Sequence, residues 1–247
     1  MPPSSTFSLE VCVDSAAGMA ACQGRADRIE LCSALELGGL TPTAGLLALA
    51  RNSQVPVHVM IRPRAGDFAY DDHDIATCLM DISAARAAGL AGVVVGVSKD
   101  EKLDRLALHE MRAAAGDMAC TLHRVFDVLD DPLRALDTVV KLGFTRILTS
   151  GGALRAPDGL AVLAGLQRAA AGRITVMVGS GVTAQNVAKI AAQTGICDYH
   201  ASCSSPVLQG DLEQRFGFAA GTRNITDAGK IMQMRAALDA LSSRKQS

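Results

Sequence analysis

The sequence predicts an α/β fold in which eight parallel strands close into one barrel and a helix follows each strand. Short runs rich in Val, Ile and Leu alternate with Ala- and Leu-rich segments of helical spacing, and Gly, Pro or Asp stands at most junctions. Eight such units fit into 247 residues, and no linker-like change of composition separates them. These observations favour a single domain over residues 1–247, the TIM (β/α)8 barrel.

The predicted strands and helices alternate along the chain. The β-rich runs predict strands near residues 7–13, 27–32, 56–62, 91–97, 118–123, 145–149, 174–178 and 197–201. The segments between and after them predict helices near residues 15–23, 43–53, 73–88, 101–115, 131–142, 158–171, 184–194 and 227–242. Two segments fall outside this pattern. Residues 1–6 are expected to be disordered, and residues 204–226 are expected to form an irregular surface loop before the last helix.

An open, doubly wound sheet is the second interpretation of the same alternation. A dinucleotide-binding sheet of that kind carries GxGxxG directly after its first strand. The residues after the first predicted strand, DSAAGMAACQG, lack that motif. The closed barrel is therefore favoured.

Composition and charge exclude several classes of function. Hydrophobic residues make up 49% of the chain and charged residues 20%, which is typical of a globular protein. A net charge of -1, with no dense Lys/Arg run, argues against nucleic acid as a partner. No apolar run approaches the length of a membrane span and the first residues lack an apolar signal stretch, so we expect a cytoplasmic protein with no membrane partner. The seven cysteines lack CxxC spacing, which favours reduced thiols over disulfides or a structural zinc site.

Strand alternation places polar residues inside the predicted barrel. In the runs LEVCV, RIEL and VHVMI the aliphatic positions share one face, which should pack against the helices. The alternate positions then point toward the barrel axis. By this rule the inward residues are Glu10, Cys12, Glu30, Cys32, His58, Met60, Arg62, Thr121, His123, Asp198, His200 and Ser202.

An interior this polar has two explanations. Barrel cores are normally layers of branched apolar side chains, and an unpaired buried charge costs several kcal/mol. The polar residues could satisfy one another, with Glu10 and Glu30 paired to Arg62 or to the histidines. Alternatively they bind a ligand, because ligand sites of this fold lie at the carboxyl ends of the strands, where many of these residues fall.

Several motifs together resemble the CutC family of copper homeostasis proteins. They are LEVCVDS, ADRIELCSALELGGLTP, VMIRPRAGDFAY, HRVFD, ILTSGG and VGSGV, and they span nearly the whole chain to about Pro206. The resemblance implies a TIM barrel that forms a homodimer or homotetramer. It also implies that Cys12 and Cys32, in the matching EVC and ELC motifs, are ligands of copper as Cu(I).

The chemistry of the two thiols is compatible with that implication. Neighbouring parallel strands lie about 4.8 Å apart, and thiolates favour Cu(I). Two inward thiols at similar height could therefore share one copper ion. Cys12 and Cys32 could equally be small buried hydrophobic residues, or form a disulfide on oxidation.

The residues also support an enzyme acting on a small anionic or phosphorylated metabolite. Gly-rich loops follow the sixth and seventh predicted strands, and backbone N–H groups in such loops can bind an anion. The candidate anion-binding and substrate-binding residues are Arg62, Arg64, Ser150, Gly151, Gly179, Ser180, Gly181, His200 and Ser202. The candidate catalytic residues are Glu10, Glu30, His123 and Asp127, which suit lyase, isomerase or hydrolase chemistry.

Overall fold

The computed structural model of the chain describes residues 7–246. The disorder expected for residues 1–6 concerns a segment outside the described residues. Between residues 7 and 246, no helix combines the length and the apolar character needed to cross a membrane.

Eight parallel strands close into the predicted TIM barrel. The barrel strands are β1 (Ser8–Val13), β2 (Arg28–Leu31), β3 (Val57–Met60), β4 (Gly92–Val95), β7 (Ala119–Leu122), β8 (Arg146–Thr149), β9 (Thr175–Val178) and β10 (Asp198–Ala201). Going round the barrel, the neighbours are β1, β10, β9, β8, β7, β4, β3 and β2, after which the circle closes on β1. Each predicted strand is present, and several are shorter than the sequence pattern indicates.

Helices surround the barrel at the eight predicted places, and one further short helix lies within residues 204–226, where no helix was predicted. They are α1 (Ala16–Cys22), α2 (Ala44–Ala50), α3 (Asp72–Ala87), α4 (Arg105–Ala115), α5 (Pro132–Lys141), α6 (Leu160–Ala170), α7 (Val187–Thr194), α8 (Asp211–Arg215) and α9 (Ala228–Gln246). Short polar side chains fix several starts, because they accept hydrogen bonds from otherwise unpaired N–H groups of the first turn. Ser15, Asp71, Asp104 and Asp131 cap α1, α3, α4 and α5 in this way.

The hydrophobic core lies mainly between the barrel and its helices. The aliphatic residues of β1, β2 and β3 belong to this outer core, as the alternation predicts. A second, much smaller apolar cluster lies inside the barrel and consists of Cys32, Met60 and Val94, with Leu35 packed against it. The rest of the interior near β1, β2 and β10 is polar.

The expectation of an irregular loop over residues 204–226 is wrong. This segment is a β-hairpin in which β11 (Ser204–Leu208) pairs antiparallel with β12 (Thr222–Thr226), and α8 lies in the connection. A smaller hairpin, β5 (Ser98–Lys99) with β6 (Lys102–Leu103), follows β4. We call residues 204–226 the mouth hairpin, because it borders a cavity at the carboxyl end of the barrel.

Candidate functional site

Three strands bring a thiol, a carboxylate and an imidazole together inside the barrel. The strand register places Cys12 level with Glu30 on β2, and Glu10 level with His200 on β10. Cys12, Glu30 and His200 each offer one ligand atom, and these atoms lie within 4.8 Å of one another. We call these three residues the mouth triad. The predicted inward orientation of all three is confirmed.

Glu10 holds the imidazole of the mouth triad in place. His200 Nδ1 lies 2.9 Å from Glu10 Oε1, and its Nε2 lies 3.7 Å from Glu30 Oε2. With Nδ1 committed to Glu10, Nε2 is the nitrogen that faces the other members of the triad. A carboxylate that orients a histidine in this way is common behind metal ligands.

A layer of buried ion pairs lies below the mouth triad, toward the amino ends of the strands. Arg28 pairs with Glu10 and also donates to Asp198 Oδ1 at 3.0 Å. Arg146 donates to the other oxygen, Asp198 Oδ2, at 2.9 Å. The structure thus gives Glu10 the partners Arg28 and His200. The expected pairing of these carboxylates with a histidine is confirmed, and the alternative partner Arg62 bonds to backbone carbonyls instead.

Sequence reasoning missed Arg28 and Arg146. Both begin strands, and Arg28 stands two residues before Glu30, so the period of two that turns Glu30 inward also turns Arg28 inward. That signal was available in the run RIEL. No signal in the sequence indicates that Asp198, 170 residues away, is the shared partner of Arg28.

Burial and neighbouring charge set the ionisation of the site. Burial favours the neutral form of Glu10, but the Arg28 charge and the His200 hydrogen bond hold the pKa of Glu10 well below its usual value. Burial, which outweighs the attraction of His200, raises the pKa of Glu30 to about 7. Burial disfavours a charged His200, yet Glu30 and Cys12 together raise the pKa of His200 well above its usual value.

Cys32 directly follows β2, two residues after Glu30, and is fully buried. Its amide donates to the carbonyl of Val13, and its thiol donates to Glu30 Oε2 at 3.6 Å. Burial, reinforced by the Glu30 charge, raises the pKa of the Cys32 thiol well above its usual value. Glu30, not Cys32, is level with Cys12 in the strand register.

A cavity of about 520 Å³ connects Cys12 with the mouth hairpin. Cys12 and Ser202 border it from the barrel side, and the hairpin supplies much of the opposite wall, including Phe218 and Arg223. Cys12 keeps only 8% of its surface exposed, so this cavity is its route to solvent.

The two arginines that were predicted to bind an anion, Arg62 and Arg64, form hydrogen bonds and ion pairs within the chain. Arg62 donates to the carbonyl oxygens of Leu37 at 2.9 Å and Gly66 at 2.9 Å, and its guanidinium stacks over Phe68 at 5.1 Å. Arg64 pairs with Asp67 and Asp74 at the surface. Arg62 ties together the loops that follow β2 and β3, which is a structural task.

An internal carboxylate fills the Gly-rich loop after β8. Asp127 accepts hydrogen bonds from Thr149 Oγ1 at 2.5 Å, from the amide of Ser150 at 3.0 Å and from the amide of Gly152 at 3.1 Å. Arg124 balances the charge of Asp127 at 2.8 Å. The amide N–H of Gly151, between Ser150 and Gly152, donates to Thr149 Oγ1. This loop does have the anion-binding geometry predicted for it, and its anion is Asp127.

The other Gly-rich loop, Gly179 to Gly181, is also used internally. The Ser180 hydroxyl donates to the carbonyl of Leu154 at 2.8 Å, and Asn186 donates to the carbonyl of Gly181 at 2.8 Å. A Cβ at Gly179 would lie 2.5 Å from Leu148 Cδ1, so a larger residue there would require the Leu148 side chain to move.

His123 lies apart from the mouth triad. Its Nδ1 accepts a hydrogen bond from the amide of Val125 at 3.0 Å, and its ring packs 4.8 Å from the ring of Phe68. Burial and then the Arg62 charge lower the pKa of His123 to about 3. Gly96 makes room for this ring, because a Cβ there would lie 2.3 Å from it. The structure thus does not bring His123 and Asp127 together with Glu10 and Glu30 in one catalytic group.

Comparison with known sequences finds one family. A sequence model described as the CutC family matches residues 7–205. A protein of Sinorhizobium medicae, described as a family protein CutC, is 51% identical over 239 residues, which cover 96% of this chain and 98% of that protein. A protein of Agrobacterium fabrum with the same description is 47% identical over 237 residues, or 94% of each chain.

Comparison with solved structures agrees. The CutC protein of Streptococcus agalactiae, provisionally described as a copper homeostasis protein, superposes with a TM-score of 0.76 and 30% identity, covering 79% of this chain and 98% of that one. N-(5'-phosphoribosyl)anthranilate isomerase from Pyrococcus furiosus superposes with a TM-score of 0.60 at 13% identity, a likeness that shows the fold alone.

Proposed function

This chain belongs to the CutC family, and we propose that it takes part in copper homeostasis by binding Cu(I) as cargo at Cys12 and Cys32. The observation that supports this most is the position of the two thiols at the carboxyl end of the barrel, with Cys12 in β1 and Cys32 directly after the neighbouring strand β2. Thiolate sulfur is the protein ligand that Cu(I) prefers.

The two thiols have different surroundings, which suggests an order of binding. Cys12 borders the cavity under the mouth hairpin, whereas Cys32 is fully buried beside Met60. Cu(I) arriving through the cavity meets Cys12 first. Transfer to a two-thiolate site then requires Cys32 to release its proton, for which Glu30 is the nearest acceptor.

The contacts at the mouth do not favour an enzyme for small anions. Arg62, Arg64 and the loop amides around Ser150 already have partners within the chain. A substrate anion would have to displace those partners, at the cost of leaving buried polar groups unpaired. Copper binding at Cys12 and Cys32 leaves these contacts in place and displaces the thiol proton that Cys32 donates to Glu30.

We also propose that the protein acts in the cytoplasm as a homo-oligomer. Exposed apolar side chains on the mouth hairpin support self-association, since Leu208 is 81% exposed and Phe218 is 84% exposed. Light scattering coupled to size-exclusion chromatography tests this, and a monomer at micromolar concentration contradicts it.

Anaerobic titration of the reduced protein with Cu(I) against a competing chelator tests copper binding. We expect one tightly bound ion per chain, and a loss of affinity of at least 100-fold in Cys12→Ser and in Cys32→Ser. Cys78→Ser is the matched control, because Cys78 is equally buried but lies on α3 away from the mouth. If the wild type binds Cu(I) no more tightly than the double variant Cys12→Ser/Cys32→Ser, the result contradicts the proposal.

A further inference from the structure

We propose that the mouth triad is a site for a divalent zinc-type ion, held by Cys12 Sγ, Glu30 and His200 Nε2. This site shares Cys12 with the proposed Cu(I) site but needs neither Cys32 nor copper. It follows from the geometry of the three side chains and of the groups behind them.

The spacing of the donor atoms suits a small divalent ion. Zinc bonds to sulfur, nitrogen and oxygen are about 2.0–2.3 Å long, so the ligands of a tetrahedral site lie roughly 3–4 Å apart. His200 Nε2 and Glu30 Oε2 are already 3.7 Å apart. The three ligand atoms all lie within 4.8 Å of one another, so a small inward movement completes the site.

The imidazole is oriented to act as a ligand once its Nε2 has released its proton to solvent. Its Nδ1 faces Glu10 at 2.9 Å, which leaves Nε2 directed at the triad. Glu10 is in turn fixed by Arg28, and Arg28 by Asp198. Carboxylate–histidine pairs of this kind fix the tautomer and ring orientation of metal-bound histidines. The ion-pair layer thus supports the ligand that the metal would use.

An unpaired atom at the same place indicates a missing partner. Glu30 Oε1 is buried and has no hydrogen-bond partner among residues 7–246, while Glu30 itself is only 3% exposed. Leaving a buried carboxylate oxygen unpaired is costly. A cation bound to the Glu30 carboxylate compensates for this.

The donor set and the cavity define the class of ion. One sulfur, one nitrogen and one oxygen form a mixed set that suits Zn²⁺ better than the hard ions Mg²⁺ and Ca²⁺ or the soft ion Cu(I). Three protein ligands leave a fourth position, and the cavity beside Cys12 can supply water or a small molecule there. Three ligands with one open position are typical of catalytic zinc sites.

Cobalt(II) is the direct probe, because Co²⁺ replaces Zn²⁺ and reports its ligands by absorption. We expect the reduced protein to bind one Co²⁺ per chain, with a thiolate-to-cobalt charge-transfer band and the intense visible bands of a four-coordinate ion. Zn²⁺ should displace it. Cys12→Ser should remove the charge-transfer band, and Glu30→Gln and His200→Gln should each weaken binding at least tenfold.

Matched variants separate this site from the copper site and from loss of folding. Glu36→Gln changes a carboxylate that borders the cavity but is not in the triad, and it should bind Co²⁺ like the wild type. Cys32→Ser should keep the Co²⁺ spectrum while losing Cu(I). Wild-type protein without the charge-transfer band, or a band that is lost in Cys32→Ser but kept in His200→Gln, overturns the inference. Because the wild-type spectrum alone can do so, the result does not depend on every variant folding.

Discussion

At the scale of single residues, Arg28 organises the interior of the barrel. Its guanidinium joins Glu10 to Asp198, and Asp198 continues to Arg146. All four side chains are largely removed from water, so each charge depends on the others for compensation. Because Glu10 also orients His200, Arg28 helps to fix the position of one member of the mouth triad.

Replacing Arg28 with Met should destabilise the fold by about 3–5 kcal/mol, the usual cost of leaving a buried charge without its partner. Here two carboxylates, Glu10 and Asp198, lose a partner at once. Urea unfolding followed by circular dichroism measures the change. Arg173→Met is the matched control, since Arg173 pairs with Asp137 at the exposed surface, and its loss should cost no more than about 1 kcal/mol. Equal effects of the two substitutions would show that the buried layer is not organised by Arg28.

Strand alternation predicts which side chains point into the barrel, but it does not predict which of these side chains contact one another. The period of two turns Glu10, Cys12, Glu30 and His200 inward, and the structure confirms all four. Which inward residues meet depends on the register of strands that are far apart in sequence. Register in a barrel follows from the closure of all eight strands, so no local pattern encodes it.

At the scale of elements, the loop after β8 shows how a binding motif can be satisfied internally. Its glycines and small side chains present N–H groups that suit an anion, as the sequence indicates. The short helical turn after β7 delivers Asp127 to the same place, so the chain provides the anion itself. The loop therefore stabilises the barrel end instead of opening a phosphate site.

Asp127→Ala should cost at least about 3 kcal/mol of stability, because hydrogen bonds to a charged group contribute about 1.5–3 kcal/mol each and several are lost together. The donors left unpaired are Thr149, Ser150 and Gly152. Urea unfolding measures the loss. Asp130→Ala, at an exposed position three residues further on, should change stability by no more than about 0.5 kcal/mol. A wild-type-like Asp127→Ala would mean that the loop does not depend on this carboxylate.

The mouth hairpin shows why residues 204–226 gave no strand signal. A strand with one buried face is recognised in the sequence by alternating apolar and polar residues. β11 and β12 pair with each other and are largely exposed on both faces, so they lack this alternation. Pro206 within β11 is a further argument against a strand, since proline is confined to edges. Both hairpin strands are edges, so the proline is accommodated.

At the scale of the whole molecule, two buried histidines make the fold sensitive to acid. Burial lowers the pKa of His58 to about 4, and it lowers the pKa of His123 to about 3. The unfolded chain takes up these protons near pH 6.5, whereas the folded chain does not. The unfolded state thus binds more protons below pH 6.5, and stability is lost as the pH falls from 6.5 toward 4.

Each histidine should contribute a slope of about 1.4 kcal/mol per pH unit between pH 6 and pH 5. Glu30 opposes this with a slope of similar size. Its pKa of about 7 keeps Glu30 protonated in the folded chain between pH 6 and pH 5, where the same side chain is ionised in the unfolded chain. Comparing variants therefore isolates the effect. In urea unfolding at pH 5, 5.5 and 6, His123→Gln should lose less stability on acidification than the wild type by about 1.4 kcal/mol per unit. Parallel curves for the two proteins would contradict a neutral buried His123.

The ion-pair layer of Arg28, Asp198 and Arg146 closes the barrel beneath the mouth triad. On the other side of this layer, the cavity beneath the mouth hairpin leads from Cys12 toward solvent. The hairpin lines this cavity and supplies none of the three triad ligands. Substitutions in the hairpin that widen or narrow the cavity should therefore change how fast Co²⁺ exchanges, whereas substitutions in the triad should change how tightly Co²⁺ is held.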